Sequence, residues 1–128
     1  MKETIIIIVI LIIILCGAIY TQKFLNKTSD LLVSKLEELK NGIEKNNMTT
    51  QEMEGKSDEI YGEWEDINPK WSVIVLHDEI DLIETSLIRM KSKIKTGNFD
   101  ESMEDLDTSI FLVKHIKEKE RTSLKNIF

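Results

Sequence analysis

The sequence predicts an all-α protein: an N-terminal transmembrane helix followed by a small antiparallel bundle of three to four helices. The chain has 128 residues, and no charged side chain occurs from Thr4 through Gln22. With one proline and five glycines, it offers few positions that break a helix. Apolar residues then recur at steps of three and four along much of the remaining sequence, the spacing of one face of an α-helix.

The uncharged run is long enough to cross a bilayer. As a helix rising about 1.5 Å per residue it spans about 28 Å, close to the ~30 Å of bilayer hydrocarbon. Its centre, Ile5 to Ile19, is too uniformly apolar for an amphipathic helix lying on a membrane surface. We therefore predict a transmembrane anchor at residues 1–22, with the span at 4–22, and a helical bundle domain at residues 23–128.

Two other kinds of N-terminal segment compete with an anchor. A cleaved signal peptide has a more basic start, a shorter apolar stretch and a small-residue cleavage site, which this sequence lacks. A lipoprotein places a small residue before its modified cysteine, whereas Leu15 precedes Cys16. An uncleaved anchor is the favoured interpretation.

Two features of the sequence favour opposite orientations of the anchor. Three lysines follow the span (Lys23, Lys27 and Lys35), which by the positive-inside rule favours a cytoplasmic bundle. An anchor with a very short charged lead, here Lys2 and Glu3, is more often inserted with its amino end inside. We expect a single-pass protein of the cell membrane with an extracytoplasmic bundle.

The charge and the cysteine content exclude several classes of protein. The formal net charge is −6, which argues against nucleic-acid binding because phosphates require a basic face. A single cysteine excludes an intramolecular disulfide framework. The acidic excess lies mostly in residues 52–66, which we interpret as a solvated helix face, with docking of a basic partner or loose cation binding as the alternative.

The helices of the predicted bundle follow from apolar stripes and from the signals that end them. Thr49 and Glu52 form a capping box that starts the second helix. Gly97 suits a left-handed C-cap, and Phe99 with Asp100 reads as the start of the last helix. The four stripes are Leu25, Thr28, Leu32, Leu36, Leu39 and Ile43; Met53, Ser57, Ile60, Trp64 and Ile67; Val73, Leu76, Ile80, Ile83, Leu87, Met90 and Ile94; and Met103, Leu106, Ile110, Val113 and Ile116.

The only proline raises a choice between two topologies. Asn68 as N-cap with Pro69 at the first helical position predicts that a new helix starts after a turn at 66–70. The apolar stripe nevertheless stays in register through Trp71, as one long helix kinked at Pro69 would require. We favour the reversal, because it lets each helix pack against two neighbours. In an up-down bundle this turn and the C-terminus return to the membrane end.

Both tryptophans therefore have two possible locations. Trp64 and Trp71, together with Phe128, would gather near the bilayer surface if their side chains face outward. Packing of the two tryptophans in the bundle core is equally well supported.

One group of residues has the composition of a metal site. His77 and Asp81 lie one turn apart, and a turn near residues 97–98 would bring His115 and Glu118 to the same level. Two histidines with carboxylates suit zinc, manganese or iron in a bundle, although the Glu-x-x-His pairs of di-iron bundles are missing. We favour a structural interpretation, in which these residues make interhelical hydrogen bonds and ion pairs that fix the register of the last two helices. Catalysis is a distant third, since no nucleophile or glycine-rich loop accompanies them.

The whole chain resembles an uncharacterised family of bacterial membrane-anchored helical proteins, domain of unknown function 4363. The resemblance rests on the Ile-rich anchor, the paired tryptophans, the HDEID segment at 77–81, GNFDES at 97–102 and the closing LKNIF. It implies a single-pass membrane protein with an α-helical domain, and it implies no activity.

The function expected from these observations is non-enzymatic. We predict an accessory or protein-interaction module that meets a protein partner or forms a homodimer, without nucleic acid, cofactor or an identified small-molecule substrate. The alternative is a metal-binding or ligand-sensing bundle centred on His77, Asp81, His115 and Glu118.

Overall fold

The structure is a computed structural model that describes residues 1–127, apart from the side chains of Leu124 and Ile127. These residues form four helices and no strand: α1 at Lys2–Glu44, α2 at Thr50–Trp71, α3 at His77–Lys95 and α4 at Phe99–Ile127. Each helix runs antiparallel to the next, and α4 packs back against α1, so that the four close into one bundle. The predicted all-α fold is confirmed.

The first helix combines the apolar run and the first bundle helix without a break. Its N-terminal part is the one described helix that is long and apolar enough to cross a membrane, judged by length and composition, and none of that stretch is buried within the protein. From Leu25 onward the stripe is buried, as predicted, and only Ile43 at its end is partly exposed. The bundle core is therefore built on the same helix as the candidate span.

Short turns at the end far from the candidate span join α1 to α2 and α3 to α4. Asn46 takes a positive φ of 50°, which asparagine tolerates better than most residues. The Thr49 hydroxyl accepts a hydrogen bond from the Glu52 backbone N–H at 3.1 Å, which confirms Thr49 as the N-cap of α2. Gly97 has a φ of 79° after the end of α3, as the C-cap prediction requires.

The chain does reverse between α2 and α3, but the predicted position of the turn was wrong. Pro69 lies in the last turn of α2, which continues to Trp71, and the reversal occupies residues 72–76. A proline inside a helix costs about 3 kcal/mol. Trp71 is fully buried, and burial of a tryptophan at about 150–250 Å² contributes roughly 4–6 kcal/mol. Extending the helix far enough to bury Trp71 therefore outweighs the penalty.

Because the turn lies later in the chain than predicted, the first two residues of the predicted third stripe are not buried. Ile80, Ile83, Leu87, Met90 and Ile94 are buried as expected. Val73 and Leu76, however, are 87% and 63% exposed, because they lie in the turn rather than on a helix. Val75 is buried in their place.

Both tryptophans pack in the core. Trp64 and Trp71 are fully buried and meet edge to face, with ring centroids 5.8 Å apart. The location near the bilayer surface is therefore wrong for their side chains, while Phe128 lies outside the described residues. The turn at 72–76 and the end of α4 do come together beside α1, since Ile74 and Ser123 line one cleft with Ala18.

Candidate functional site

The structure places the two halves of the predicted metal site on exposed surfaces. His77 begins α3, and its Nε2 lies 4.0 Å from the Asp81 Oδ1, with both side chains largely in solvent. His115 stacks on the exposed ring of Phe111, its neighbour one turn earlier on α4. The Glu118 carboxylate lies 3.9 Å from the Arg121 guanidinium on the same helix.

Within residues 1–127, no three histidine, cysteine or carboxylate side chains gather as the ligands of a metal ion would. In the structure His77 contacts Asp81 and His115 contacts Phe111, and each of these pairs lies within one helix. The metal site thus stays a prediction from the sequence alone.

Other residues make the ion pairs between the last two helices. Lys93 Nζ lies 2.7 Å from Asp105 Oδ2, and the Asp105 side chain is only 9% exposed. At the opposite end of α3, Lys119 Nζ donates to Glu79 Oε1 at 2.8 Å. The hydrogen bonds to these carboxylates raise the pKa of both lysines. Interhelical ion pairs therefore do flank the apolar seam, although His77 and Asp81 do not form them.

Glu84 is the most highly connected polar side chain between α2 and α3. Its Oε1 accepts a hydrogen bond from the Tyr61 hydroxyl at 3.0 Å. Its Oε2 accepts one from Asn68 Nδ2 at 2.8 Å and a longer one from Trp64 Nε1 at 3.4 Å. Burial and then the bond to this carboxylate raise the pKa of Tyr61. One carboxylate thus holds three donors of α2 against α3.

A second buried hydrogen bond ties α2 to α1. Trp71 Nε1 donates to Thr28 Oγ1 at 2.8 Å, and the hydroxyl in turn donates to the Phe24 backbone carbonyl at 2.8 Å. Nearer the far end, Lys35 Nζ reaches Glu59 and Glu63 at 2.8 and 2.9 Å. These contacts fix the antiparallel register of the two helices.

The end of the bundle that faces the candidate span carries an apolar cleft. It encloses about 290 Å³ and lies between α1 and the turn at 72–76. Lys70 lies at its rim, with its ammonium 5.8 Å from the centre of the Phe24 ring. The lining residues are Tyr20, Thr21, Phe24, Lys70, Val73 and Ile74.

A second cleft, of about 180 Å³, lies between α1 and α4 and shares Thr21 and Ile74 with the first. Glu120 and Ser123 of α4 line it together with Ala18, Gln22 and Leu25 of α1. Burial raises the pKa of Glu120; the Glu79 carboxylate raises it further, and Lys119 opposes this shift. Both clefts lie beside α1 where it leaves the bundle.

The sequence predicted that the turn after α2 and the C-terminus lie together at the membrane end, but it placed Val73 and Leu76 in a buried seam and so did not predict their exposure or the cleft. Because the turn was placed at 66–70, the hydrogen bonds between Glu84 and α2 were not predicted either. One feature of the sequence did indicate the correct position: the apolar stripe of α2 continues at helical spacing to Trp71, which predicts that the reversal follows that residue.

A third surface is acidic. The acidic α2 face is defined as Glu54, Asp58, Glu65 and Asp66; Glu54 is half-buried and the other three are exposed to solvent. Among the ion pairs of the described residues, only Asp58 in this set has a basic partner, Lys91 at 3.6 Å. The interpretation as a solvated face agrees with this exposure.

One comparison with known proteins finds a match. A family model described as "Domain of unknown function (DUF4363)" matches residues 19–127, most of the chain. No curated protein and no solved structure matches the chain.

Proposed function

We propose that this chain, which belongs to the DUF4363 family, is a single-pass membrane protein whose bundle serves as a non-enzymatic interaction module. The observation that carries the proposal is the continuity of α1. The helix runs from Lys2 to Glu44, and the first core residue of the bundle, Leu25, follows the candidate span by three residues. A helix without an intervening linker transmits a fixed orientation from the span to the bundle.

Such a connection suits a protein that presents one surface to another membrane protein. A flexible linker would let the bundle sample many orientations, whereas a continuous helix limits the rotational freedom lost on association. The Glu84 carboxylate and the Trp71 N–H already bond groups on neighbouring helices. The surfaces left for a partner are therefore on the outside of the bundle.

The acidic α2 face is the surface that we assign to the partner. Its charge favours a basic segment, because complementary charge speeds association and selects among partners. A symmetric dimer through the same face would set one acidic face against another, which like-charge repulsion disfavours. We therefore propose a second protein with a basic surface, on the extracytoplasmic side of the membrane.

Site-specific photocrosslinking in the native membrane tests this proposal. A benzoylphenylalanine at Glu65 is expected to form an adduct of one defined mass, and a second substitution, Asp66→Lys, is expected to abolish it. The matched control is the same photoprobe at Thr108, an exposed residue of α4. Equal adducts from both positions, or an adduct that survives Asp66→Lys, would contradict the assignment, and a product of twice the chain mass would identify a second copy instead.

A further inference from the structure

We propose that the turn between α2 and α3 is a second membrane contact, which inserts into the headgroup region of the phospholipid bilayer that α1 crosses. The turn is called the α2–α3 tip below and comprises residues 72–76. The inference rests on the proposed anchoring by α1 and adds to it a defined depth and a specific part of the bundle.

The antiparallel register of α1 and α2 sets the depth of the tip. Trp71 bonds Thr28, and Lys70 lies over Phe24, so the residues after Trp71 lie beside the part of α1 that precedes Phe24. The cleft confirms this level, because Val73 and Ile74 line it together with Tyr20 and Thr21. Those α1 residues are the last ones of the uncharged run, where a span of this length meets the headgroups.

The tip also has the composition of a membrane-inserting segment. Val73 and Leu76 are 87% and 63% exposed, and Ile74 is only partly buried. Apolar side chains at this depth gain by entering the boundary between headgroups and acyl chains, as the apolar face of an interfacial helix does. A bilayer is the one apolar phase that α1 necessarily places next to them.

The side chains around the tip limit how deeply it inserts. Lys70 precedes the tip, and its ammonium lies 5.8 Å from the centre of the Phe24 ring, at a level where a basic side chain attracts anionic headgroups. His77 and Asp78 follow the tip and are exposed at the start of α3. Tyr20, also exposed, has the amphipathic ring that is common at this level of a membrane. The apolar segment is thus bounded on both sides by polar groups, which fits shallow insertion.

Nitroxide depth measurements on the full chain test the inference. The Cys16→Ser chain carries one label, at Val73→Cys, and is reconstituted in vesicles of phosphatidylcholine and phosphatidylglycerol. Collision rates with oxygen, which concentrates in lipid, and with a water-soluble nickel complex report the depth. The control labels are Leu11→Cys in the candidate span and Thr96→Cys in the turn at the far end of the bundle.

We expect the label at Val73 to have a depth between those of the two control labels. Its nickel collision rate should be several-fold below that at Thr96, and its oxygen collision rate should be above that at Thr96. A nickel collision rate at Val73 equal to that at Thr96 would overturn the insertion. If the label at Leu11 still showed the collision rates of a site in lipid, the anchoring by α1 would stand. Protection of Val73 from both reagents would mean that protein covers the tip, which also overturns the inference. A water-accessible Leu11 would instead refute the anchoring itself.

Discussion

Removal of the Glu84 carboxylate should weaken the contact between α2 and α3 more than any other single surface or boundary substitution on α3. In Glu84→Ala, Tyr61, Trp64 and Asn68 lose the oxygen atoms that accept their hydrogen bonds. A hydrogen bond to a charged group is worth about 1.5–3 kcal/mol. Tyr61 and Asn68 are partly exposed and recover part of this from water, and the Trp64 bond is long. We therefore expect a loss of about 3 kcal/mol in the free energy of unfolding.

Thermal unfolding of the full chain in detergent micelles, followed by circular dichroism, measures this loss. For a bundle of this size, 1 kcal/mol changes Tm by about 4–8 °C, so a loss of about 3 kcal/mol in Glu84→Ala should lower Tm by roughly 12–24 °C. Glu84→Gln keeps one acceptor oxygen and should lose less. The control is Asp81→Ala, an exposed carboxylate on the same helix, which should change the stability by at most about 0.5 kcal/mol. Equal Tm values for Glu84→Ala and Asp81→Ala would show that the Glu84 carboxylate does not stabilise the contact between α2 and α3.

The Tyr61 hydroxyl offers an independent readout of the same contact. Because burial and the Glu84 carboxylate raise the pKa of Tyr61, the folded chain holds this proton more tightly than the unfolded chain. Stability should therefore decrease as pH rises from the ordinary tyrosine pKa of about 10 toward the raised value. In a Tyr20→Phe chain, absorbance of the phenolate reports Tyr61 alone, and Glu84→Gln should lower its pKa. An unchanged titration curve would show that the two side chains are not in contact.

Substitutions at three further residues test other contacts by the same thermal assay. Thr28→Val leaves the Trp71 N–H without its acceptor and should cost about 1–3 kcal/mol, whereas Thr28→Ser keeps the hydroxyl and should cost clearly less; equal losses would count against the bond. Asp105→Asn removes the charge that pairs with Lys93 and should cost about 1–3 kcal/mol, and a Tm equal to the wild type would contradict a structural role. Burial raises the pKa of Glu120, so the folded chain disfavours the ionised carboxylate, and stability falls as pH rises above the ordinary glutamate pKa. Glu120→Gln should therefore raise Tm near pH 8 but not near pH 3. An equal gain in Tm at both pH values would exclude burial of the carboxylate as the cause.

Most of the fold follows from the apolar stripes of the sequence. The α1 stripe from Leu25 to Leu39, the Thr49 cap and the Gly97 turn all lie where periodicity and capping chemistry place them. These features depend on neighbouring residues along the chain, so local rules suffice to find them. The family resemblance was likewise correct, since its model matches residues 19–127.

The error at Pro69 has a physical cause that local rules do not include. Asn68 and Pro69 are a helix-start signal, but the burial of Trp71 against Thr28 is a tertiary contact that favours continuing α2 for two more residues. Moving the reversal to residues 72–76 changes which residues of α3 face α2. This places Glu84 opposite Tyr61, and it exposes Val73 at the tip.

The predicted metal site depended on pairing between α3 and α4 that the sequence only approximates. Counting from the turn places Glu118 near the level of His77 and His115 near that of Asp81, but the level along a helix does not determine the direction of a side chain around it. In the structure, His115 stacks on Phe111, and the side chain of α4 that reaches the start of α3 is Lys119, which contacts Glu79. The position of each side chain around the axis of α4 therefore decides which residue pairs with α3: Lys119 faces α3, whereas His115 does not.

The most direct test of a membrane-anchored bundle is thiol labelling of single cysteines from one side of sealed vesicles. Two full-length chains carry Cys16→Ser with either Lys2→Cys, before the candidate span, or Thr96→Cys, in the turn at the far end of the bundle. With a membrane-impermeant maleimide, we predict that one of the two is labelled in sealed vesicles and that both are labelled after detergent is added. Labelling of Thr96→Cys from the extracytoplasmic side would support the proposed orientation. Labelling of both positions in sealed vesicles would contradict a span that crosses the membrane, and with it the central claim.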